Sequence, residues 1–173
     1  SRSELNLNNQ LSISDYFTDK FFDVIVNCAA YTNVDGAESD EDLSNQINHL
    51  AVDQLARIAK QKNIKFIHIS TDYVFNGKAK FPYIESDSTN PLNFYGKTKL
   101  AGEDALIAAL PLNGIIIRTS WLFSEFRKNF VKTIIKLAKE RDELKIISDQ
   151  ISTPTYSDDL ARVIIQIIQN DSF

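Results

Sequence analysis

The stretch of residues 64–102, IKFIHISTDYVFNGKAKFPYIESDSTNPLNFYGKTKLAG, decides the fold of this chain. It opens with a short apolar run at residues 64–69, which is typical of a parallel strand buried on both faces. Polar residues follow at once, at positions 70–73 (Ser-Thr-Asp-Tyr). Because the carboxyl ends of parallel strands form the usual ligand crevice of open α/β folds, we expect these side chains to line a binding site.

The same stretch ends in a predicted helix that carries Tyr95 and Lys99, after a loop that contains Gly77 and Pro82. The two residues are one helical turn apart and therefore share a face. The ammonium of Lys99 can approach the phenol of Tyr95 there, and we expect it to lower the pKa of Tyr95. A Tyr-x-x-x-Lys pair alone is a weak signal, because a lysine-rich surface helix can contain one by chance.

Strand-like and helix-like segments alternate along the rest of the chain. Apolar runs predict strands at residues 23–28, 114–119 and 144–147, and helical spacing predicts helices at residues 14–22, 40–62, 95–110 and 126–140, with a last helix after Pro154-Thr155. This alternation predicts an α/β fold with a parallel, doubly wound sheet and right-handed crossovers.

Five ordered blocks carry a family resemblance. They are residues 27–35 (NCAAYTNVD), 70–75 (STDYVF), 95–99 (YGKTK), 118–121 (RTSW), and 149–150 (DQ) with 154–155 (PT). Together they resemble the extended short-chain dehydrogenase/reductase superfamily and, within it, the dTDP-4-dehydrorhamnose reductase family. The resemblance implies a Rossmann-like domain and the start of a small substrate-binding lobe.

The resemblance also implies roles for individual residues. They are Thr71, Tyr95 and Lys99 for catalysis; Ala29, Ala30, Tyr31, Thr32, Ser70, Tyr95 and Lys99 for the cofactor; and Thr71, Asp72 and Trp121 for the substrate. Two plain alternatives stay open: residues 29–32 as an ordinary strand-to-loop turn, and Trp121 as a core plug. Asn48 falls where extended reductases place an asparagine that steadies the active-site lysine through water, and an exposed polar helix position is the alternative.

The implied activity is NADPH- or NADH-dependent reduction of the C4 keto group of dTDP-4-dehydro-6-deoxy-L-mannose to dTDP-L-rhamnose, a precursor of cell-surface polysaccharides. A hydride arriving at a carbonyl leaves charge on oxygen, which needs hydroxyl donors and a proton source such as Thr71 and Tyr95. Two other classes remain open, namely another sugar-nucleotide reductase or epimerase, and a non-catalytic NADP-binding relative such as the regulatory subunits of methionine adenosyltransferase. A homodimer is compatible with each class.

Composition limits the partners and the location. The 173 residues carry a net charge of −4 and a pI near 5.2, which argues against a nucleic-acid surface, and no apolar run is long enough to span a bilayer. Cys28 is the single cysteine and is predicted to be a small core residue; without a partner it fits a reducing cytoplasm. His49 and His68 have no second ligand at metal-binding spacing, so no metal site is predicted.

One expected motif is missing. A dinucleotide-binding fold opens with a strand, a glycine-rich turn and a helix, yet the five glycines form no G-x-x-G-x-x-G, and the sequence contains no methionine. We therefore expect residues 1–173 to be a single NAD(P)-binding Rossmann-like domain that lacks its first βα unit and is incomplete at both termini.

Overall fold

The computed structural model describes residues 3–146, 149–170 and 173. Its helices and strands are α1 (Gln10–Phe17), β1 (Val24–Asn27), α2 (Glu41–Asn45), α3 (Ala51–Lys62), β2 (Lys65–Thr71), α4 (Phe94–Ala109), β3 (Gly114–Thr119), α5 (Phe130–Glu140) and α6 (Ser157–Gln169). A π-helical turn (Gln46–Leu50) joins α2 to α3, and the 3₁₀ turns Gly36–Glu38 and Asp72–Val74 precede α2 and follow β2.

The strands form one sheet in the order β1-β2-β3. β1 and β2 are parallel, with Val24 opposite Lys65 and Asn27 opposite His68. A helix lies between each pair of consecutive strands in the chain, as parallel pairing requires. The predicted α/β fold with a parallel sheet is confirmed.

The core lies where α3 and α4 pack against each other and against β2. α3 contributes a face of small and branched side chains at helical spacing, which lets α4 come close. The buried apolar residues of this core are Ile13, Phe17, Ala51, Val52, Leu55, Ala56, Ala59, Ile64, Phe66, Leu106 and Leu110. This packing fixes the carboxyl end of β2 relative to the first turns of α4.

Several predicted boundaries were wrong near polar residues that cap helices or end strands. The first helix spans Gln10–Phe17 instead of residues 14–22, because the side chain of Asn9 accepts the amide hydrogens of Leu11 and Ser12 and so starts the helix earlier. Cys28 is exposed and not a core residue, since β1 ends at Asn27.

The predicted strand at residues 144–147 does not form in its described part, because Leu144, Lys145 and Ile146 have no regular secondary structure, and Ile147 lies outside the described residues. The predicted helix at residues 126–140 begins at Phe130, where the side chain of Asn129 accepts the amide hydrogen of Lys132 at 3.0 Å.

The chain divides into two compact units, residues 1–118 with Phe173, and residues 119–172. The first contains β1, β2 and most of β3, with helices α1 to α4. In the second, a short parallel bridge joins Phe123 to Tyr156, and the amide of Thr155 donates to the carbonyl of Ser120 at 3.1 Å. The single domain predicted for residues 1–173 stays a prediction.

Candidate active site

The carboxyl end of β2 places Ser70 and Thr71 in a buried position. A 3₁₀ turn follows directly, because the Thr71 hydroxyl accepts the amide hydrogen of Tyr73 at 3.2 Å. The same hydroxyl lies 3.2 Å from Oδ1 of Asp72, to which it donates. The predicted crevice residues therefore do come together at the sheet edge.

The first turns of α4 bring Tyr95 and Lys99 to this edge. Asn93 caps the helix by accepting the amide hydrogen of Gly96 at 2.7 Å, so the chain enters α4 in a defined direction. Tyr95 is buried and packs edge-on against the ring of Tyr73, at 5.7 Å between centroids. The Thr71 hydroxyl lies near the Tyr95 phenol and favours its ionised form by hydrogen bonding. Two hydroxyl groups from two elements thus meet at one point.

The Tyr95 phenol has a raised pKa, because burial disfavours its charged form more than the hydrogen bond with Thr71 favours it. The nearby carboxylate of Asp72 raises the pKa further. The predicted lowering of this pKa by Lys99 was wrong for this structure. Tyr95 is held in the protonated form at neutral pH and can act as an acid.

The Lys99 side chain is almost fully buried, with 1% of its surface exposed, and it turns towards β2. Its Nζ donates to the carbonyl oxygen of Ile69 at 2.8 Å and lies 3.1 Å from Nε2 of His68. Burial lowers the pKa of Lys99 to about 8, against the opposing charge of Glu103 one turn further along α4. Lys99 therefore changes charge close to the physiological pH range.

A buried ion pair supports this end of α4. Glu103 receives two hydrogen bonds from Arg118, one from Nη2 at 2.6 Å and one from Nε at 3.1 Å. The guanidinium of Arg118 also stacks over the ring of Phe75, 5.0 Å from its centroid. The pair joins α4 to β3 and to the loop after β2, and sequence reasoning missed it because the two residues have no local pattern in common.

The loop after β1 carries the predicted cofactor residues. Ala29 and Thr32 are exposed, and Ala30 and Tyr31 are half-buried. A groove of about 520 Å³ runs along this side of β1, and its lining includes Leu5, Ile25, Val26, Ala29, Ala30 and Ile47. Of the predicted cofactor residues in this loop, Ala29 and Ala30 line the groove, and their small side chains leave room for a flat ring system to approach. Tyr31 and Thr32 lie outside its lining, and the cofactor role of all four stays a prediction.

Asn48 holds this loop in place. It is buried in the π-helical turn, where Oδ1 accepts the amide hydrogen of Tyr31 at 2.8 Å and Nδ2 donates to the carbonyl oxygen of Tyr31 at 3.1 Å. Nδ2 also donates to the hydroxyl of Thr98 at 3.2 Å. The exposed alternative for Asn48 was wrong, and its side chain links the cofactor loop to α4.

Trp121 lies in the second unit. It is half-buried, and its ring packs edge-on against Phe130, with 4.5 Å between centroids and 64° between planes. Its backbone has a φ of 46°, which is unusual for a bulky residue and is often found at functional sites. Its predicted contact with substrate stays a prediction.

The described part of the chain has neither a candidate metal site nor a candidate membrane span. No group of three or more His, Cys, Asp or Glu side chains there could hold a metal ion. None of the helices in residues 3–146 and 149–170 is long and apolar enough to cross a membrane.

The sequence profile of the RmlD substrate binding domain matches residues 1–172. The chain belongs to the RmlD substrate binding domain family. The predicted resemblance is thereby confirmed. Among RmlD relatives, dTDP-4-dehydrorhamnose reductase of Aggregatibacter actinomycetemcomitans is 46% identical over 170 residues, which cover 96% of this chain and 56% of that protein. The dTDP-4-keto-6-deoxy-D-glucose reductase of Streptomyces niveus is 36% identical over 170 residues, covering 98% of this chain and 59% of that protein.

Solved RmlD-like structures agree with the fold. The crystal structure of dTDP-4-dehydrorhamnose reductase from Bacillus anthracis in complex with NADP has a TM-score of 0.92 and 37% sequence identity. The match covers 98% of this chain and 60% of that one. The chain therefore spans little more than half the length of the relatives that it matches.

Proposed function

We propose that the protein to which this chain belongs reduces the C4 keto group of dTDP-4-dehydro-6-deoxy-L-mannose with NADPH or NADH. The observation that carries the proposal is the meeting of the buried Thr71 and Tyr95 hydroxyls at the end of β2, with Lys99 one helical turn away. The family relatives named as reductases and the NADP complex of the Bacillus anthracis protein support the same reading.

The cofactor would lie along the groove beside β1, which Ala29 and Ala30 line, and would reach Tyr31, Thr32 and Ser70 beyond that lining. When bound, the nicotinamide supplies the hydride for the keto carbon. Asn48 fixes the backbone of Tyr31 through two hydrogen bonds, so the loop that faces the cofactor is held before binding. Such preorganisation lowers the entropy lost on binding.

Tyr95 is the proposed general acid. Its raised pKa keeps it protonated at neutral pH, so it can give its proton to the keto oxygen as negative charge develops there. Thr71 would turn its single hydroxyl hydrogen from Asp72 to the same oxygen and stabilise the charge without losing its proton. Lys99 would steady the cofactor. Asp72 and Trp121 would face the sugar nucleotide.

NADPH oxidation by the intact protein, with the 4-keto sugar as substrate, tests this proposal. Tyr95→Phe should lose about 10² to 10⁴ in kcat while still binding cofactor, because general acid catalysis is typically worth that factor. Lys99→Ala should lose kcat and weaken cofactor binding together, and Thr71→Val should fall between. Tyr16→Phe, which removes a hydroxyl on α1, is the matched control and should turn over normally. A Tyr95→Phe protein with more than about a tenth of normal kcat would contradict the mechanism.

The name of one relative indicates a second candidate substrate. The Streptomyces niveus protein is named a dTDP-4-keto-6-deoxy-D-glucose reductase, so the unepimerised sugar is the main competitor. Comparison of kcat/KM for the two 4-keto sugars decides between them. Tight NADPH binding without turnover of either sugar would instead indicate a regulatory relative.

The same proposal includes a cytoplasmic location and a homodimer. Nucleotide sugars and nicotinamide cofactors are cytoplasmic metabolites, and the lone Cys28 needs no oxidising compartment. Cell fractionation tests the location, and sedimentation of the intact protein tests the dimer.

A further inference from the structure

Three buried side chains form a hydrogen-bonded line from β1 through β2 to α4. Nδ2 of Asn27 lies 3.1 Å from Nδ1 of His68, and Nε2 of His68 lies 3.1 Å from Nζ of Lys99. His68 has no exposed surface. The proposed reaction uses Lys99 and leaves the other two without a role.

The orientation of Asn27 is set by its own loop. The backbone amide of Ala29 donates to Oδ1 of Asn27 at 3.1 Å, so the NH₂ group of the side chain faces His68. Nδ1 of His68 therefore has to accept. Because a neutral imidazole carries one N–H, that hydrogen lies on Nε2.

The Nε2 hydrogen points at Nζ of Lys99. An ammonium group has donors only, so a charged Lys99 would place two donors against each other at 3.1 Å. An uncharged amine offers a lone pair to His68 and still donates to the carbonyl oxygen of Ile69 at 2.8 Å. The hydrogen bonds of the whole line are satisfied in the amine form.

The charges around Lys99 are compatible with that form. Burial lowers the pKa of Lys99 to about 8, so the ammonium predominates below about pH 8 and the amine above it. Burial also lowers the pKa of His68, to about 3, so the imidazole is neutral. The nearest carboxylate on α4, Glu103, is held by two hydrogen bonds from Arg118 on β3. The other titratable groups at this edge are Asp72 and Tyr73 in the 3₁₀ turn and Tyr95 on α4.

We propose that Asn27 and His68 are positioning residues that favour the uncharged amine form of Lys99, with the imidazole proton on Nε2. When the amine takes up one proton from solvent, it loses the lone pair that accepts from His68. The resulting ammonium is released from His68 and is free to turn towards negative charge in the site. The charge of Lys99 thus sets the position of its side chain. The role of this movement in catalysis rests on the proposed function.

The tautomer of His68 is the direct test. Long-range proton–nitrogen NMR of the chain with ¹⁵N-labelled histidine should show a hydrogen-bearing Nε2 and a bare Nδ1 for His68 at about pH 7 to 9. His49 serves as the internal reference. A hydrogen on Nδ1, or a charged imidazole at neutral pH, would overturn the proposal even if every variant failed to fold.

Asn27→Asp tests the link to Lys99. A carboxylate only accepts, so the imidazole hydrogen should move to Nδ1, and the bare Nε2 should then accept from a charged Lys99. The titration midpoint of Lys99, assigned by comparison with Lys99→Arg, should rise by at least about one pH unit. Asn45→Asp is the matched control. Oδ1 of Asn45 lies 3.0 Å from Nδ1 of His49, so this variant makes the same change beside the other histidine, which is far from Lys99 in the sequence.

An unchanged Lys99 midpoint in folded Asn27→Asp would refute the link. Neither measurement depends on turnover, so a failed reductase assay would count against the proposed function and not against this inference.

Discussion

Acid should destabilise this chain through His68. The imidazole is fully buried, and its pKa is lowered to about 3, mainly by burial and then by Lys99. In the unfolded chain the pKa is about 6.5. A group whose pKa is depressed by folding stabilises the fold fully above the unfolded pKa, and this stabilisation is lost as the pH falls towards the folded pKa.

The size of the effect follows from the two pKa values. Linkage gives a loss of about 2 kcal/mol in the free energy of unfolding between about pH 7 and pH 5, and of about 4 kcal/mol by about pH 3. The upper window is the useful one, because carboxylates of ordinary pKa change charge little above about pH 5.

Urea unfolding of the chain at about pH 7, 6 and 5 measures the loss by linear extrapolation. His68→Gln should be less stable than the natural chain at about pH 7. Its free energy of unfolding should no longer fall between about pH 7 and pH 5, because the substitution removes the titrating group. His49→Gln removes the other histidine and should keep the slope. A natural chain that loses less than about 0.5 kcal/mol between about pH 7 and pH 5, or a His68→Gln chain with the same slope, would refute the buried neutral imidazole.

Three further predictions concern packing. Gly102→Ala should destabilise the fold by about 1 to 3 kcal/mol in urea unfolding, because the added Cβ would come within 2.2 Å of the Asn48 carbonyl oxygen. Helix propensity alone predicts the opposite, a gain in stability of about 1 kcal/mol. The sign of the change in the free energy of unfolding therefore decides between the two effects. Glu103→Gln should cost about 2 to 3 kcal/mol, whereas Glu140→Gln at an exposed ion pair should cost less than about 1 kcal/mol. Trp121→Ala should cost less than about 2 kcal/mol, since the side chain is half-buried, and a loss of about 3 to 5 kcal/mol would indicate a core tryptophan.

Local patterns predicted the elements that carry the site. The apolar run of β2 and the helical spacing of α4 depend on neighbouring residues, so the positions of Thr71, Tyr95 and Lys99 followed from the sequence. Cys28 was misplaced because the apolar run of β1 continues past the residue where the strand ends. The side chain of Asn27 accepts the amide hydrogen of Ala29, which starts the loop.

The contacts that set the charges were beyond local reasoning. Asn27 meets His68 only because the register of two parallel strands places them opposite each other. The pairing of Glu103 with Arg118 depends in the same way on how α4 lies against β3. A buried histidine in the middle of an apolar strand was the available signal, since such a group requires a hydrogen-bond partner.

The π-helical turn Gln46–Leu50 makes the number of residues in this helix matter as much as their identity. A π turn holds one residue more than an α turn, and each residue of an α-helix advances the direction of its side chain by about 100°. Deletion of one residue in the turn would let the helix close as a regular α-helix with α2 and α3 pointing much as before, because one π turn and one α turn rotate the chain by nearly the same angle. The side chains inside the turn would be re-aimed, however, and Asn48 would leave Tyr31. A deletion within α2 or α3 would instead rotate one helix by about 100° and carry the apolar face of α3 out of the core. Insertions and deletions should therefore be tolerated less well between Glu41 and Lys62 than substitutions on its exposed face.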